Sequence, residues 1–213
     1  MKLARSFAIL SALTTWAALL LQLVLIIRQF TAQGETISFA IWRYFGFFTI
    51  LTNVLVALVA TAMAMNWLRY PSAKLRLATV TAVVLVGLVY SIALRNIWQP
   101  EGWQAIADHG LHDASPLLFL AAWWFSPHLH LNWKDVLWAT LFPTIYCAYA
   151  LLRGSFDGWY AYWFFNPDNM SFVQLLGVAA LLLLVVLGVA TIFVGIDRWL
   201  ARRSTPPKKP LNI

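Results

Sequence analysis

Long runs of apolar residues, separated by short polar segments, place the strongest limit on how this chain of 213 residues folds. An α-helix needs about 20 mostly apolar residues to cross the roughly 30 Å of hydrocarbon in a bilayer. β-barrel strands would instead need alternating segments of about ten residues, which the sequence does not contain. The sequence therefore predicts an all-α, polytopic membrane protein with one domain over residues 1–203. Its six predicted spans cover residues 7–27, 44–67, 77–94, 109–125, 133–152 and 172–200.

The composition supports a membrane protein, because hydrophobic residues make up 62% of the chain and charged residues only 11%. Soluble proteins average about 25% charged residues. So few polar side chains would not cover the apolar surface of a water-soluble fold, which excludes a soluble enzyme and a disordered chain. The single cysteine, Cys147, excludes a secreted scaffold held by internal disulfides.

The distribution of basic residues predicts the orientation of the helices. With six spans both termini lie on one side of the membrane, and the segments on that side carry eleven of the 15 Lys and Arg residues. Lys and Arg accumulate in cytoplasmic loops, so we expect cytoplasmic N- and C-termini. We therefore assign the net charge of +7 to topology and expect no nucleic-acid partner. The Pro- and Lys-rich segment 204–213 is predicted to be a disordered cytoplasmic tail.

Polar and aromatic residues concentrate in the segments predicted to lie on the outer side of the membrane. An aromatic belt and solvated loop charges explain many of them. Arginines, however, are normally sparse on that side, and we interpret them as residues that pair or bind anions in an outer vestibule. The predicted substrate-binding residues of this vestibule are Arg43, Arg95, Asn96, Arg153 and Tyr160, next to His109, His112, Asp113, Asp157 and Tyr162.

Two histidines near the start of the fourth predicted span are each spaced from an aspartate as a general base is from the carboxylate that orients it. Asp108 and His112, like His109 and Asp113, are four residues apart, so each imidazole has a carboxylate one helical turn away. Such a carboxylate fixes the imidazole tautomer and raises its basicity, as a general base requires.

Two other interpretations of the same segment remain open. It could be a helix start, with Asp113 or Ser115 as N-cap and Pro116 in the first turn. It could also bind a metal, but no third convergent ligand is evident, since His128 and His130 belong to a loop on the opposite side of the membrane. We therefore expect no metal.

A stripe of polar residues in the second predicted span is a second candidate element of a site. Thr49, Thr52 and Asn53 lie on one helical face, with Thr49 two turns, or ~9 Å, below Arg43. Bonding to backbone carbonyls or to a neighbouring helix is the alternative explanation for these residues. Gly46, close to the same stripe, would allow another helix or a ligand to approach closely.

Four segments, taken in order, resemble a known family. They are WRYFGFFTILTNVLVAL from Trp42, LRNIWQP from Leu94, HGLHDASPLLFL from His109 and RGSFDGWYAYWFFNP from Arg153. Together they are similar to the bacterial, Pr-six-Pr branch of six-helix membrane proteins related to the androgen-induced membrane protein family. That wider family includes intramembrane hydrolases of fatty-acid esters of hydroxy fatty acids. The resemblance implies a multi-pass protein of the bacterial inner membrane.

The resemblance also implies site residues. In the family a threonine near the start of the second helix is the nucleophile and a histidine in an HGxH segment is its partner. His112 matches that histidine, whereas the threonine position, counted from Trp42, falls on Gly46. We expect Thr49, one turn deeper, to replace it, with Asp108 orienting His112 and no cofactor.

The expected substrate is a lipid ester bound near the outer leaflet. Arg95 or Arg153 would hold a substrate carboxylate, and Asn53 or Asn96 would stabilise the oxyanion. The alternative is a non-catalytic lipid- or amphiphile-binding protein, or a transporter, that uses the same polar cluster. Membrane lipids are the expected partners in either case.

Overall fold

The computed structural model describes residues 2–65, 70–128 and 131–204. Within these ranges the chain forms α-helices joined by short turns, and no β-strand. The helices are α1 (Lys2–Ala32), α2 (Ile37–Tyr44), α3 (Phe48–Met65), α4 (Ala73–Val89), α5 (Gly102–His109), α6 (Ser115–Trp124), α7 (Val136–Asp157) and α8 (Phe172–Ser204).

In addition to these α-helices, the described residues form two turns of π-helix. The first, Tyr90–Leu94, continues α4, and the second, Gly110–Ala114, joins α5 to α6. Single turns of 3₁₀-helix at Trp133–Asp135, Trp163–Phe165 and Pro167–Asn169 precede α7 or lie between α7 and α8.

Several helices are long and apolar enough to cross a membrane, as the sequence predicts. Among the described residues these are Lys2–Ala32, Phe48–Met65, Ala73–Leu94, Trp133–Asp157 and Phe172–Arg203. The fourth predicted span, 109–125, overlaps a helical run over residues 102–124 that the second π turn divides, and it extends one residue past the end of that run. Residues 66–67 of the second predicted span and 205–213 of the predicted tail lie outside the described residues.

The second span begins later than predicted. Residue 44 ends α2, and α3 begins only at Phe48, because the chain turns at residues 45–47. Thr36 caps α2 by accepting a hydrogen bond from the Phe39 N–H at 3.1 Å. Thr49 is consequently the second residue of α3 and not a residue in the middle of a longer helix.

The alternative interpretation of Asp113 or Ser115 as an N-cap is wrong. The helical run starts at Gly102, and both residues have helical neighbours on either side. Pro116 has no N–H to donate to the carbonyl four residues earlier, that of His112, and the π turn places the irregular hydrogen bonding at this point. The Ser115 hydroxyl instead accepts from Thr15 of α1 at 3.0 Å.

Small residues and an outward apolar face characterise the helix packing. Ala8, Ala57, Ala60 and Ala122 are completely buried, which lets neighbouring helix backbones approach closely. By contrast, α8 turns large apolar side chains outward along its length, among them Leu181, Leu184 and Ile192. Such a surface suits contact with lipid and not with water.

A polar cluster holds the loop between α6 and α7 against α8. The Asp197 carboxylate, 2% exposed, lies 2.9 Å from His128 Nδ1 and accepts the Leu131 N–H at 2.8 Å. In the same loop the Leu131 carbonyl accepts from Arg198 at 2.9 Å. His128 is therefore engaged in fixing this loop.

Replacing Asp197 by leucine is expected to lower the free energy of unfolding by about 1–3 kcal/mol, because the Leu131 N–H would be buried without an acceptor. Thermal unfolding of the detergent-solubilised protein measures the change. Asp168→Leu, which alters an exposed acid, is the control and should change stability by less than about 0.5 kcal/mol. Equal effects of the two substitutions would contradict this account of Asp197.

Candidate functional site

The side chains of Thr49 and His112 meet between α3 and the second π turn. The distance from Thr49 Oγ1 to His112 Nε2 is 3.3 Å, close to the 2.6–3.2 Å expected of a nucleophile and its base in an unliganded site. Thr49 is held by the first turn of α3, and His112 lies in the middle of the π turn. The structure thus brings together the two residues that the sequence predicts as a catalytic pair.

Asp108 orients the His112 ring from one turn earlier. His112 Nδ1 lies 3.0 Å from the Asp108 carbonyl oxygen and 3.2 Å from its carboxylate. A carbonyl oxygen only accepts hydrogen bonds, so Nδ1 carries the proton. Nε2 is then left with its lone pair directed at the Thr49 hydroxyl, which is the tautomer that a general base requires.

Tyr90 completes this arrangement, and the sequence analysis missed it. Its hydroxyl donates to Asp108 Oδ2, and its ring stacks on the His112 imidazole with centroids 3.9 Å apart. Tyr90 is the first residue of the other π turn, so both π turns of the chain meet at the site. A lone phenol in the apolar segment before Arg95 is the signal that could have identified it.

Asn53 fixes the positions of the two chain segments that carry the pair. Its side-chain nitrogen donates to the Thr49 carbonyl at 2.8 Å and to the Leu111 carbonyl at 3.2 Å. These bonds occupy both of its N–H groups, and the side chain is completely buried. Asn53 is therefore a positioning residue here and does not present a donor to an oxyanion.

Two cavities open on the Thr49–His112 pair. The larger cavity, about 380 Å³, lies among α3, α4, α7 and α8, and the smaller cavity, about 290 Å³, lies among α1, α2, α3 and α5. The residues that line both are Thr49, Tyr90, Leu94, His112 and Tyr162. The pair thus borders both of these mostly apolar cavities.

Tyr162, in the loop between α7 and α8, lines both cavities together with Thr49. Burial raises the pKa of its phenol. The raised pKa keeps the hydroxyl protonated at neutral pH, so it is a hydrogen-bond donor. The Tyr162 hydroxyl, which lines the cavities, is therefore a candidate oxyanion donor.

Arg43 and Arg153 form a separate cluster with Asp157. Arg43 Nη1 lies 3.3 Å from Asp157 Oδ2, and Arg153 Nε lies 3.7 Å from the same oxygen. Arg153 is 4% exposed, stacks over the Trp42 ring and donates to the Trp42 carbonyl. Neither arginine lines the two cavities, so the structure does not bring these predicted substrate-binding residues to the Thr49–His112 pair.

Gly46 is packed beneath this cluster. A Cβ atom built on it would lie 2.5 Å from the Trp159 ring and 2.6 Å from Arg153 Nη1. A threonine therefore does not fit at the position where the family resemblance places the nucleophile. Gly46 is expected from the sequence to allow close approach of another helix or a ligand, and the groups that approach it closely are the side chains of Trp159 and Arg153.

Three of the remaining predicted vestibule residues contact one another through Asp113. Arg95 pairs with Asp113, which also lies 2.7 Å from His109 Nδ1. The hydrogen bond to Asp113 raises the pKa of Arg95, whose guanidinium also covers the Tyr90 ring at 4.8 Å.

Asn96 and Tyr160 do not reach the cavities. Asn96 is exposed in the turn that follows Leu94, and Tyr160 packs against Gly154. In the part of the chain that the structure describes, no group of three His, Cys, Asp or Glu side chains is arranged to hold a metal ion.

No protein-family model, curated protein or solved structure matches the chain.

Replacing Gly46 by valine is expected to destabilise the protein by about 1–3 kcal/mol, because the new side chain would overlap the Trp159 ring and the Arg153 guanidinium. Thermal unfolding in detergent measures the loss. Gly188→Ala is the matched control, since a Cβ at position 188 meets nothing within 4 Å. A Gly46→Val protein as stable as the control would show that the cluster is not tightly packed.

Proposed function

We propose that this chain is a membrane-bound hydrolase of lipid esters in which Thr49 is the nucleophile. The observation that supports it is the hydrogen-bonded series Thr49, His112 and Asp108, in which Thr49 and His112 border two mostly apolar cavities. A nucleophile, a base and a residue that orients the base are the elements of nucleophilic catalysis. Fatty-acid esters of hydroxy fatty acids are one substrate class with suitably long apolar arms.

The reaction proceeds in two steps. Thr49 Oγ attacks the ester carbonyl while His112 Nε2 takes its proton, and the protonated imidazole then passes that proton to the departing alcohol oxygen. The resulting acyl-threonine is cleaved by water, with His112 again accepting and returning a proton. Asp108 holds the ring and stabilises its charged form during both steps.

The proposed membrane arrangement has six spans, with residues 102–124 as the fourth and both termini in the cytoplasm. The excess of Lys and Arg in the segments on the terminal side supports this orientation. The site then lies towards the outer leaflet of a bacterial inner membrane, where membrane lipids are its partners. This arrangement also agrees with the proposed relation to the androgen-induced membrane protein family.

Arg95 is the proposed anchor for a substrate carboxylate at the outer surface. It follows Leu94, which lines both cavities, and its guanidinium lies over the Tyr90 ring. Arg153 is less suited to this task because its guanidinium is enclosed by Trp42, Tyr149 and Asp157. A charged carboxylate would compete with Asp113 for Arg95.

Labelling with a fluorophosphonate probe tests the nucleophile. We expect the purified protein to be labelled, and Thr49→Val or His112→Ala to abolish labelling, because each removes one partner of the proton transfer. Thr52→Val and His109→Ala are the matched controls, since neither residue lines the cavities, and both should retain labelling.

Absence of labelling in the parent protein would exclude the hydrolase. The alternative, a lipid-binding protein or transporter, is supported by the apolar walls of the larger cavity, which need no chemistry to hold an acyl chain. It predicts that fatty-acid binding or flux survives Thr49→Val.

Tyr162→Phe tests the proposed oxyanion donor. Loss of one such donor typically lowers kcat by about 10²–10³-fold, and we expect that loss with little change in KM. The isosteric ring keeps the cavity wall intact, so substrate binding is preserved. Steady-state kinetics with a soluble ester measures both constants, and an unchanged kcat would exclude Tyr162 from transition-state stabilisation.

A further inference from the structure

The two cavities differ in the chemistry of their walls, although they share the Thr49–His112 pair. From this difference we propose that the larger cavity holds the acyl chain of the ester and the smaller cavity holds its alcohol part. The assignment rests on the proposed function. It assigns selectivity for the acyl part and for the alcohol part to the residues that line only one of the two cavities.

The wall of the larger cavity is apolar in character. Most of its lining side chains are aliphatic or aromatic, including Leu85, Val86 and Val186. Two of its hydroxyl groups are already bonded within the protein, since Thr144 donates to the Thr140 carbonyl at 2.8 Å and Tyr146 to the Gly46 carbonyl at 2.9 Å. The remaining surface suits a hydrocarbon chain that offers no hydrogen bonds.

The smaller cavity contains polar groups that the larger one lacks. Gln104 Nε2 donates to Gln22 Oε1 at 2.7 Å, and the pair still carries a donor on Gln22 and an acceptor on Gln104. Both side chains line this cavity together with the Asp108 carboxylate and the Trp98 indole. An alcohol part that bears a further oxygen function could bond to the two amides.

The chain segment that leads to His112 supports the same assignment. The protonated imidazole must lie beside the departing alcohol oxygen to return the proton that it took from Thr49. His112 lines both cavities, but Asp108 and Leu111, which precede it along the chain, line the smaller cavity and not the larger one. The alcohol therefore leaves through the smaller cavity, while the acyl group stays bonded to Thr49.

This division has a kinetic consequence. The bond from Thr49 Oγ to the acyl carbon forms as the bond from that carbon to the alcohol oxygen breaks, so only the acyl part remains for the second step. Narrowing the larger cavity should then affect formation and hydrolysis of the acyl-threonine. Narrowing the smaller cavity should affect its formation alone.

Two matched substitutions test the assignment in the full-length protein. Ala179 lines only the larger cavity and Ala161 only the smaller one, and each is replaced by phenylalanine. Ala179→Phe should lower kcat/KM for nitrophenyl palmitate relative to nitrophenyl acetate by at least about tenfold, since an apolar pocket discriminates by that much per lost group. Ala161→Phe should instead lower kcat/KM for hexadecyl acetate relative to ethyl acetate.

The reverse pattern, or equal effects of both substitutions on both ester series, would overturn the assignment while leaving the hydrolase intact. A parent protein that cleaves none of these esters would overturn the proposed function and the assignment with it.

Cys147 gives a second readout that needs no substitution. It is the single cysteine of the chain and lines the larger cavity only. A fluorophosphonate that carries a hexadecyl chain on phosphorus should, once bonded to Thr49, slow methylthiolation of Cys147, whereas one that carries a methyl group should not. Equal reactivity of Cys147 in the two adducts would place the chain elsewhere and contradict the assignment, and failure of both reagents to bond would contradict the proposed function.

Discussion

A carboxylate buried in an apolar helix bundle must find hydrogen-bond donors, because burial of an unpaired charge is costly. Asp108, 4% exposed, accepts from Tyr90 and lies against His112. Tyr90 and His112 each lie in a π turn, so this one side chain links the irregular ends of two helical runs. The position of His112 relative to Thr49 depends on that link.

Much of the helical architecture could be predicted from local sequence pattern, whereas the pairing of Thr49 with His112 is expected from the family resemblance. Apolar runs mark the long helices, and the spacing of four residues between Asp108 and His112 places their side chains on one face. The resemblance points to Thr49 as the partner of His112, and the two side chains are in contact although they lie far apart in the sequence. The predictions from pattern succeed because they depend on residues close together in the sequence.

The rest of the site depends on contacts between distant segments. The π turn before Pro116 replaced the predicted helix start, because the helix had already begun at Gly102. Tyr162 and Thr49, which line the same cavities, and Arg43 and Asp157, which form an ion pair, are more than a hundred positions apart in each case. Residue type and spacing carry no information about such pairings, so the arginines that looked suited to a ligand proved to be bound by the protein.

The hydrogen bond from His112 Nδ1 to the Asp108 backbone fixes the orientation of the ring. A half-turn of the imidazole about its Cβ–Cγ bond would place a carbon where each nitrogen now lies, and would break both this bond and the bond to Thr49. The ring therefore has one resting orientation, with a single basic nitrogen available. In that orientation Nε2 already faces the Thr49 hydroxyl.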